Sequence, residues 1–484
     1  MNKNFLIDKI FQNSINYPNK ICLKTDDKTL TFRQFWNLSK KFSDYLNRET
    51  SSIPIVCVLE TKSYFDYVAL IGTLLSGGYY IPISNLTPDK RILEILNLTK
   101  ANFISSLKIK KNFSLRNIKI IKPSIFLQKI KTNRTNKINK KSDIAYIIFT
   151  SGTTGQPKGV IITKNNLNSY LKWFVKEIKI DKNDNSAQVS SISFDLSVAS
   201  IFPPLISGSK LCVASKKDLI LPGKFLNIQK INHLVCTPSL IDYIENSNQL
   251  NKIKFKNIKK IFFCGEPLYK THVIKIFNVN KNIIIINAYG PTETTCSMTY
   301  CLINKNNYKN LSNKMMSIGV PINKMKIKLI DKNFNISKTQ GEILITGPQV
   351  AKGYLNLKKE NENKFIYLKG QKYYRTGDNA YLFKNKYYFS NREDSQVKVR
   401  GYRIELNEIN HFIRAYGYSG VYTDVMKGNL VTYIQNKTLK RSKLIKFLSK
   451  KLESYKIPNT FIRVDQFPLN KNDKIDIQKL KKIL

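Results

Sequence analysis

Phe149–Gly159, FTSGTTGQPKG, gathers three glycines, four hydroxyls and one lysine into a single short stretch directly behind the apolar run Ile144–Thr150. Glycines let a backbone approach an anion closely, hydroxyls and amides donate to its oxygens, and Lys158 adds a point charge, so the stretch reads as a phosphate-wrapping loop behind a buried strand. It is not a P-loop, because its lysine follows Pro157 and not a glycine. An ordinary polar turn needs no such density of donors.

Beyond the loop, Thr163 stands as a helix cap before Leu167, Tyr170, Leu171 and Phe174, the spacing of an amphipathic helix. Strand-length apolar runs such as Leu211–Ala214, Ile261–Cys264 and Ile283–Asn287 alternate with helix-period segments up to about residue 300. Short continuous runs of this kind suit parallel strands buried on both faces, so the expected class is α/β with doubly wound subdomains. From about 315 to 390 the pattern changes to short strands broken by turns (Lys326–Ile330, Glu342–Thr346, Tyr387–Phe389), which suggests a small antiparallel barrel. After Asp394 it changes again. Val397–Leu406 reads as a strand and Glu408–Tyr416 as a helix with Ile409, Phe412 and Ile413 on one face. A hairpin and a lysine-rich helix from Leu439 follow. Two domains are expected, 1–393 and a small α+β domain 394–484, with Lys108–Lys141 a solvated loop.

The chain has 484 residues, 42% of them hydrophobic, enough for large cores and too many for a small binding module. Its start, MNKNFLIDKIF, mixes charges into the apolar residues and does not read as a secretory signal. The longest uncharged run, Tyr67–Leu86, contains Gly72, Gly77, Gly78 and Pro82 and reads as helix, turn and strand; no membrane insertion is expected. Seven cysteines, an odd number without a Cys-x-x-Cys pair, sit largely in apolar runs and suit a reducing, cytoplasmic setting. The net charge of +48 raises nucleic acid as a partner, but lysine recurs along the whole chain together with Asn and Ile, the mark of a compositional bias. No nucleic-acid partner is expected, although such a surface attracts ATP, pyrophosphate and acidic proteins.

The Phe149–Gly159 stretch closely resembles the phosphate-binding signature of the adenylate-forming superfamily, which includes acyl-CoA synthetases, luciferases and the adenylation domains of peptide synthetases. Six further segments resemble that family in the family's order: Leu30–Phe35, Leu74–Pro82, Asn287–Thr294, Tyr374–Asp378, Asn391–Glu408 and Pro468–Asp476. The resemblance spans about residues 30 to 480 and implies ATP and Mg²⁺ as cofactors. It places the phosphates on Thr150, Ser151, Gly152, Thr153, Thr154, Gly155 and Lys158, with Thr150 also taking part in the chemistry. Tyr289 would stack on adenine, with Asn287, Gly290, Thr292 and Phe389 completing the nucleotide site. Glu293 would hold Mg²⁺, Asp378 would accept from the ribose hydroxyls, and Arg392 would reach ribose and phosphate. Lys474 matches the lysine that bridges the attacking carboxylate and the α-phosphate, Asp394 the hinge, and Lys398 the segment turned toward a pantetheine thiol. Asp473, Asn391 and Asn407 stand where the family usually has glycine, and the first of these bears on the reach of Lys474.

Asp195, in SISFDLSVAS, lies where amino-acid-activating members place the aspartate that pairs with the substrate ammonium, and a carboxylate in an apolar run requires a cationic partner. By the same resemblance Leu196, Ala199, Ser239, Phe262, Cys264, Ala288, Cys296 and Ser297 line the side-chain pocket. None carries a charge, so a neutral, small to medium amino acid is implied, and the pattern looks most like the D-alanine–carrier protein ligase branch. His233, His272 and His411 form neither a metal spacing nor a triad. The chain ends eight residues after Asp476, so a separate carrier protein or coenzyme A is expected as the thiol acceptor. Two rival readings stand beside this one: an acyl-CoA synthetase for an acid without an amine, and a basic nucleic-acid scaffold without catalysis.

Overall fold

In the computed structural model of this chain the described residues are 4–107, 118–127, 141–150, 157–253, 255–313, 315–392, 395–426, 428–436, 438–468 and 475–483. They divide into two compact units: one built from 1–85, 96–149 and 159–393, the other from 86–95, 150–158 and 394–484. The sequence suggests one cut at Asp394; two earlier segments, 86–95 and 150–158, group with the second unit.

In the first unit Ile144–Thr150 is a strand of a seven-stranded sheet ordered Gly353–Tyr354, Lys158–Thr163, Ile144–Thr150, Tyr79–Ile83, Ile55–Leu59, Phe103–Ser105 and Lys119–Ile121. A second, nine-stranded sheet places Asn185–Gln188, His233–Cys236, Lys260–Phe263 and Ile284–Tyr289 side by side and parallel. Leucine, valine, isoleucine and phenylalanine fill the middle of the His233–Cys236, Lys260–Phe263 and Ile284–Tyr289 strands, the composition of parallel strands buried on both faces. The Lys164–Ile178 helix starts where Thr163 accepts from Asn166 N at 3.1 Å while Asn166 Oδ1 accepts from Thr163 N at 2.9 Å. Such a cap contributes about 1 kcal/mol, and the face of Leu167, Tyr170, Leu171 and Phe174 enters the main core. The wholly buried Leu196–Ser207 helix packs against this helix and against Phe5–Asn16. Its last-turn carbonyls, which no helical N–H reaches, accept from Asn13 Nδ2: Leu205 O at 2.8 Å and Ile206 O at 2.9 Å.

Three expectations change in detail. The Lys108–Lys141 stretch includes ordered structure: Lys119–Ile121 pairs parallel with Phe103–Ser105, and the short Pro123–Phe126 helix stacks Phe126 on Phe65 at 5.5 Å between centroids. A lysine-rich composition hid two apolar anchors. The expected barrel is a six-stranded antiparallel sheet, Ile336–Ser337, Lys326–Ile330, Gln340–Thr346, Gln371–Phe383 and Phe365–Leu368, with Lys386–Arg392 also on Gln371–Phe383. No ladder joins its two edges among the described residues. In the second unit Val397–Leu406 is a hairpin, Gln396–Val399 with Tyr402–Glu405. Arg400 (φ 51°) and Gly401 (φ 82°) turn the chain with two left-handed residues, the conformation that matches strand twist in a two-residue loop.

The Leu406–Tyr416 helix of the second unit packs on a three-stranded sheet of Gly420–Met426, Asn429–Gln435 and Thr460–Val464. Beneath it lies an ionic cluster. Lys456 Nζ is 2.9 Å from Glu408 Oε2 and 2.8 Å from Glu453 Oε2, and Arg91 Nη2 is 3.2 Å from Glu408 Oε1. Burial disfavours the ammonium, but Glu453 and Glu408 outweigh it and hold Lys456 cationic. Lys456→Met leaves two carboxylates in a dry site without their cation and should cost about 3–5 kcal/mol in denaturant unfolding of this unit.

His233 opens a central strand of the nine-stranded sheet, fully buried edge-on to Phe174 at 6.0 Å, and neither ring nitrogen has a hydrogen-bond partner among the described residues. Burial, aided by Lys260, pushes its pKa down to about 3 from an ordinary 6.5. The unfolded chain therefore takes up a proton that the folded one refuses, and stability falls as pH drops from 6.5 toward 3, by roughly 1.4 kcal/mol for each unit of pKa difference. His233→Leu should raise the melting temperature at pH 5 relative to wild type, with a smaller gain at pH 7.5.

Candidate active site

Because Asn185–Gln188, His233–Cys236, Lys260–Phe263 and Ile284–Tyr289 are parallel, the segments behind them emerge along one sheet edge. They carry Asp195, Ser239, Cys264 and Gly290–Glu293. The carboxyl ends of parallel strands are where open α/β sheets take their ligands.

Asp378 is buried at that edge with both oxygens engaged. Strand register sets it opposite Arg392, whose Nη1 lies 2.6 Å from Oδ1 while Nη2 donates to Thr376 O at 3.1 Å. Tyr289, the last residue of its strand, donates its hydroxyl to Oδ2 at 2.7 Å. Burial, then the adjoining Asp378 charge, pushes the Tyr289 pKa well up, so the phenol stays a donor. Thr376 braces the turn, taking Asp378 N–H at 3.0 Å and donating to Ile343 O at 2.9 Å. Asn287, one turn of the pleat earlier on the Tyr289 strand, donates to Ser317 O at 2.8 Å. Phe389 is half-buried against the main core.

Past Tyr289 the chain folds back on itself at Gly290, where a Cβ would lie 2.6 Å from Ser297 Cα, so no larger residue fits. The Thr292–Thr294 turn follows and buries Glu293. Tyr354 donates its hydroxyl to Glu293 Oε1 at 2.7 Å and sits 3.4 Å from the Tyr374 hydroxyl; the Glu293 carbonyl accepts from Ala351 N at 2.8 Å. Thr292, Glu293 and Thr294 thus present one carboxylate and two hydroxyls, hard oxygen donors. Among the described residues no group of three or more His, Cys, Asp or Glu could hold a metal ion.

Asp195 directly precedes the Leu196–Ser207 helix. Leu196, Ala199, Phe262, Cys264, Ala288 and Cys296 share one apolar cluster. Cys264 Sγ donates to Cys296 O at 3.7 Å, Tyr170 donates to Cys296 Sγ at 3.6 Å, and Ser297 Oγ lies 3.5 Å from the Tyr170 hydroxyl. Burial raises the Cys296 and Tyr146 pKas well above their ordinary values, and the Asp195 charge adds to both, which places all three in one neighbourhood. Thr295 (φ 60°) and Cys296 (φ 75°) make the left-handed turn that brings Cys296 there. Ser239 has its hydroxyl 2.9 Å from Thr237 Oγ1 and its N–H donating to Glu266 at 3.0 Å.

In the second unit Thr150 Oγ1 donates to Lys158 O at 3.4 Å, and Lys398 is exposed on the hairpin. Ser151, Gly152, Thr153, Thr154, Gly155, Asp394, Asp473 and Lys474 lie outside the described residues. Sequence reasoning missed Tyr354, Thr376, Tyr170 and Tyr146. Tyr170 was legible only as a core position of a helix, and nothing local marks Tyr354 as the partner of a glutamate sixty-one positions away.

Among the described residues no helix is long and apolar enough to cross a membrane. Bacitracin synthase 3 of Bacillus licheniformis is 32% identical over 483 residues, covering 95% of this chain and 7% of that protein. Bacitracin synthase 2 is 31% identical, with 99% and 19% covered, so the chain spans a small part of these relatives. A D-alanine–D-alanyl carrier protein ligase of Bacillus cytotoxicus is 29% identical, with 98% of each chain covered. The fold matches the adenylation domain AlmE of Vibrio cholerae, solved with glycyl-adenosine-5'-phosphate, at a TM-score of 0.85 and 22% identity over 99% of this chain and 97% of that one. It also matches the o-succinylbenzoate CoA synthetase of Bacillus subtilis, TM-score 0.83 and 20% identity over 98% and 97%. The profile of AMP-binding enzymes matches residues 10–355. With that match over most of its length and the Tyr289–Asp378–Arg392 cluster at the sheet edge, the chain belongs to the AMP-binding enzyme family.

Proposed function

We propose that this chain activates a neutral, small to medium amino acid as its aminoacyl-adenylate and passes the acyl group to a phosphopantetheine thiol on a separate carrier protein, with D-alanine the first amino acid to test. The observation that carries the reading is Asp195 at the head of a buried helix, next in sequence to Leu196, which shares one apolar cluster with Ala199, Phe262, Cys264, Ala288 and Cys296, none of them charged. Asp195 is half-buried there, and a carboxylate in that position is suited to meet a substrate ammonium. The self-paired hydroxyls and thiols of Tyr170, Ser297, Cys264 and Cys296 offer little to a polar side chain. The D-alanine–carrier ligase covered at 98% supports the carrier as acceptor, and an acidic carrier suits a net charge of +48.

In the first half-reaction a carboxylate oxygen bonds to the α-phosphorus of ATP as the bond to the bridging oxygen breaks and pyrophosphate leaves. Asp378 and Arg392 are suited to the ribose and phosphate, Tyr289 to the base, and Lys474 to the charge that develops at the α-phosphate. Glu293, with Thr292 and Thr294, is a donor set that fits Mg²⁺ carried on the phosphates, since that ion keeps few protein ligands. When bound, the ion would neutralise phosphate charge. In the second half-reaction the thiol sulfur bonds to the acyl carbon and AMP leaves, with Asp394 as the hinge and Lys398 facing the acceptor.

ATP–pyrophosphate exchange over D- and L-amino acids and fatty acids tests the reading: exchange with a small neutral amino acid is expected, and exchange with fatty acids alone would overturn it. Asp195→Ala should lower amino-acid-dependent exchange by roughly 10⁴-fold, and unchanged exchange would refute the ammonium contact. Asp378→Asn weakens two charge-assisted hydrogen bonds and should raise the KM for ATP by about 10- to 100-fold while leaving the amino-acid KM near wild type.

A further inference from the structure

Glu60 follows the Ile55–Leu59 strand and is buried, 4% exposed, in none of the segments quoted above for the family resemblance. Its backbone N–H donates to Ile83 O at 2.9 Å, which fixes its base. Its carboxylate reaches across to the second sheet's loop: Ser191 Oγ donates to Oε2 at 2.5 Å and Ile192 N to Oε1 at 3.2 Å. The next residues are tied on. Ser193 Oγ is 2.9 Å from Ser191 Oγ, Phe194 N donates to Ser191 O at 3.2 Å, and Ser197 Oγ of the following helix donates to Ile192 O at 3.2 Å. Asp195 is the next residue, and its carbonyl accepts from Val198 N at 2.9 Å.

The platform under Glu60 is itself rigid. Asp66 accepts from Thr61 N at 2.8 Å, Thr61 Oγ1 at 2.8 Å and Lys62 N at 2.7 Å, and Lys62, at φ 61°, brings its ammonium to 3.8 Å from Glu60 Oε1. A buried carboxylate is an expensive way to fasten a loop unless its donors must be held in one geometry.

We propose that Glu60 is a positioning residue for substrate selection: through Ser191 and Ile192 it sets the Ser191–Asp195 turn, and so the direction in which Asp195 meets the substrate ammonium. The inference rests on the ammonium reading of Asp195. It predicts an effect confined to recognition of the amine, which a merely structural carboxylate would not produce.

The test compares Glu60→Ala, Glu60→Gln, Ser191→Ala, Asp195→Ala and the Glu60→Ala/Asp195→Ala double variant in ATP–pyrophosphate exchange, with the preferred amino acid and with its analogue lacking the α-amine. Glu60→Ala should raise the amino-acid KM by about 10- to 100-fold and cut discrimination against the analogue by the same factor, with the KM for ATP unchanged. Ser191→Ala should act in the same direction more weakly, and Glu60→Gln, which keeps an acceptor for Ile192 N–H, should restore part of the loss. In the Asp195→Ala background Glu60→Ala should add little, because both act on one contact. If Asp195→Ala leaves the amino-acid KM unchanged, the function proposed above fails. If Asp195→Ala acts but Glu60→Gln and Ser191→Ala leave KM and discrimination at wild type, or weaken both substrates equally, Glu60 has no positioning role. The two smaller changes keep the test decisive even where Glu60→Ala does not fold.

Discussion

The first unit depends on one carboxylate. Asp378 joins the antiparallel sheet, which supplies it and Arg392, to the nine-stranded sheet, which supplies Tyr289. Those sheets come from segments far apart in sequence, so nothing short of the folded chain places the phenol 2.7 Å from the carboxylate. A buried Asp with only one such donor would be a liability; with a guanidinium and a phenol it is a rigid acceptor held at the carboxyl ends of parallel strands.

The same logic recurs at four further buried acids. Glu60, Glu293, Glu342 and Glu408 are buried, and each has named donors: Ser191 and Ile192, Tyr354, Arg375 and Gly377, and Arg91 with Lys456. Against 81 Lys and Arg the chain has only 33 Asp and Glu. Lysine abundance therefore says little about function, while the position of each buried acid says much, because only a paired carboxylate survives desolvation.

The apolar cluster around Cys296 shows a different economy. Its polar atoms pair locally, Cys264 Sγ with the Cys296 carbonyl, Tyr170 with Cys296 Sγ and Ser297 with Tyr170, so a region built partly of polar atoms behaves as a neutral surface. Burial keeps the Cys296 thiol and the Tyr170 phenol protonated, so Tyr170 remains the donor to Cys296 Sγ. The Asp195 charge adds to the burial that raises the Cys296 and Tyr146 pKas.

Local pattern determined the strand behind the glycine loop, the Thr163 cap, the alternation that makes the class α/β, and the ordered motifs that carry the site residues, because each depends on a period, a cap or a spacing contained in a few residues. The barrel became an open sheet and the long strand after Gln396 became a hairpin, because pairing partners and two left-handed residues at 400 and 401 are not coded by apolar period. The strand and helix inside the lysine-rich stretch were hidden for the converse reason: two apolar side chains, Ile121 and Phe126, suffice once a core is there to receive them. What tertiary structure alone decided were the partnerships, Tyr289 with Asp378, Tyr354 with Glu293, Tyr170 with Cys296 and Glu60 with the turn before Asp195. A hydrogen bond depends on a few tenths of an ångström between groups that the chain brings together only by folding, and no spacing along the sequence records that distance.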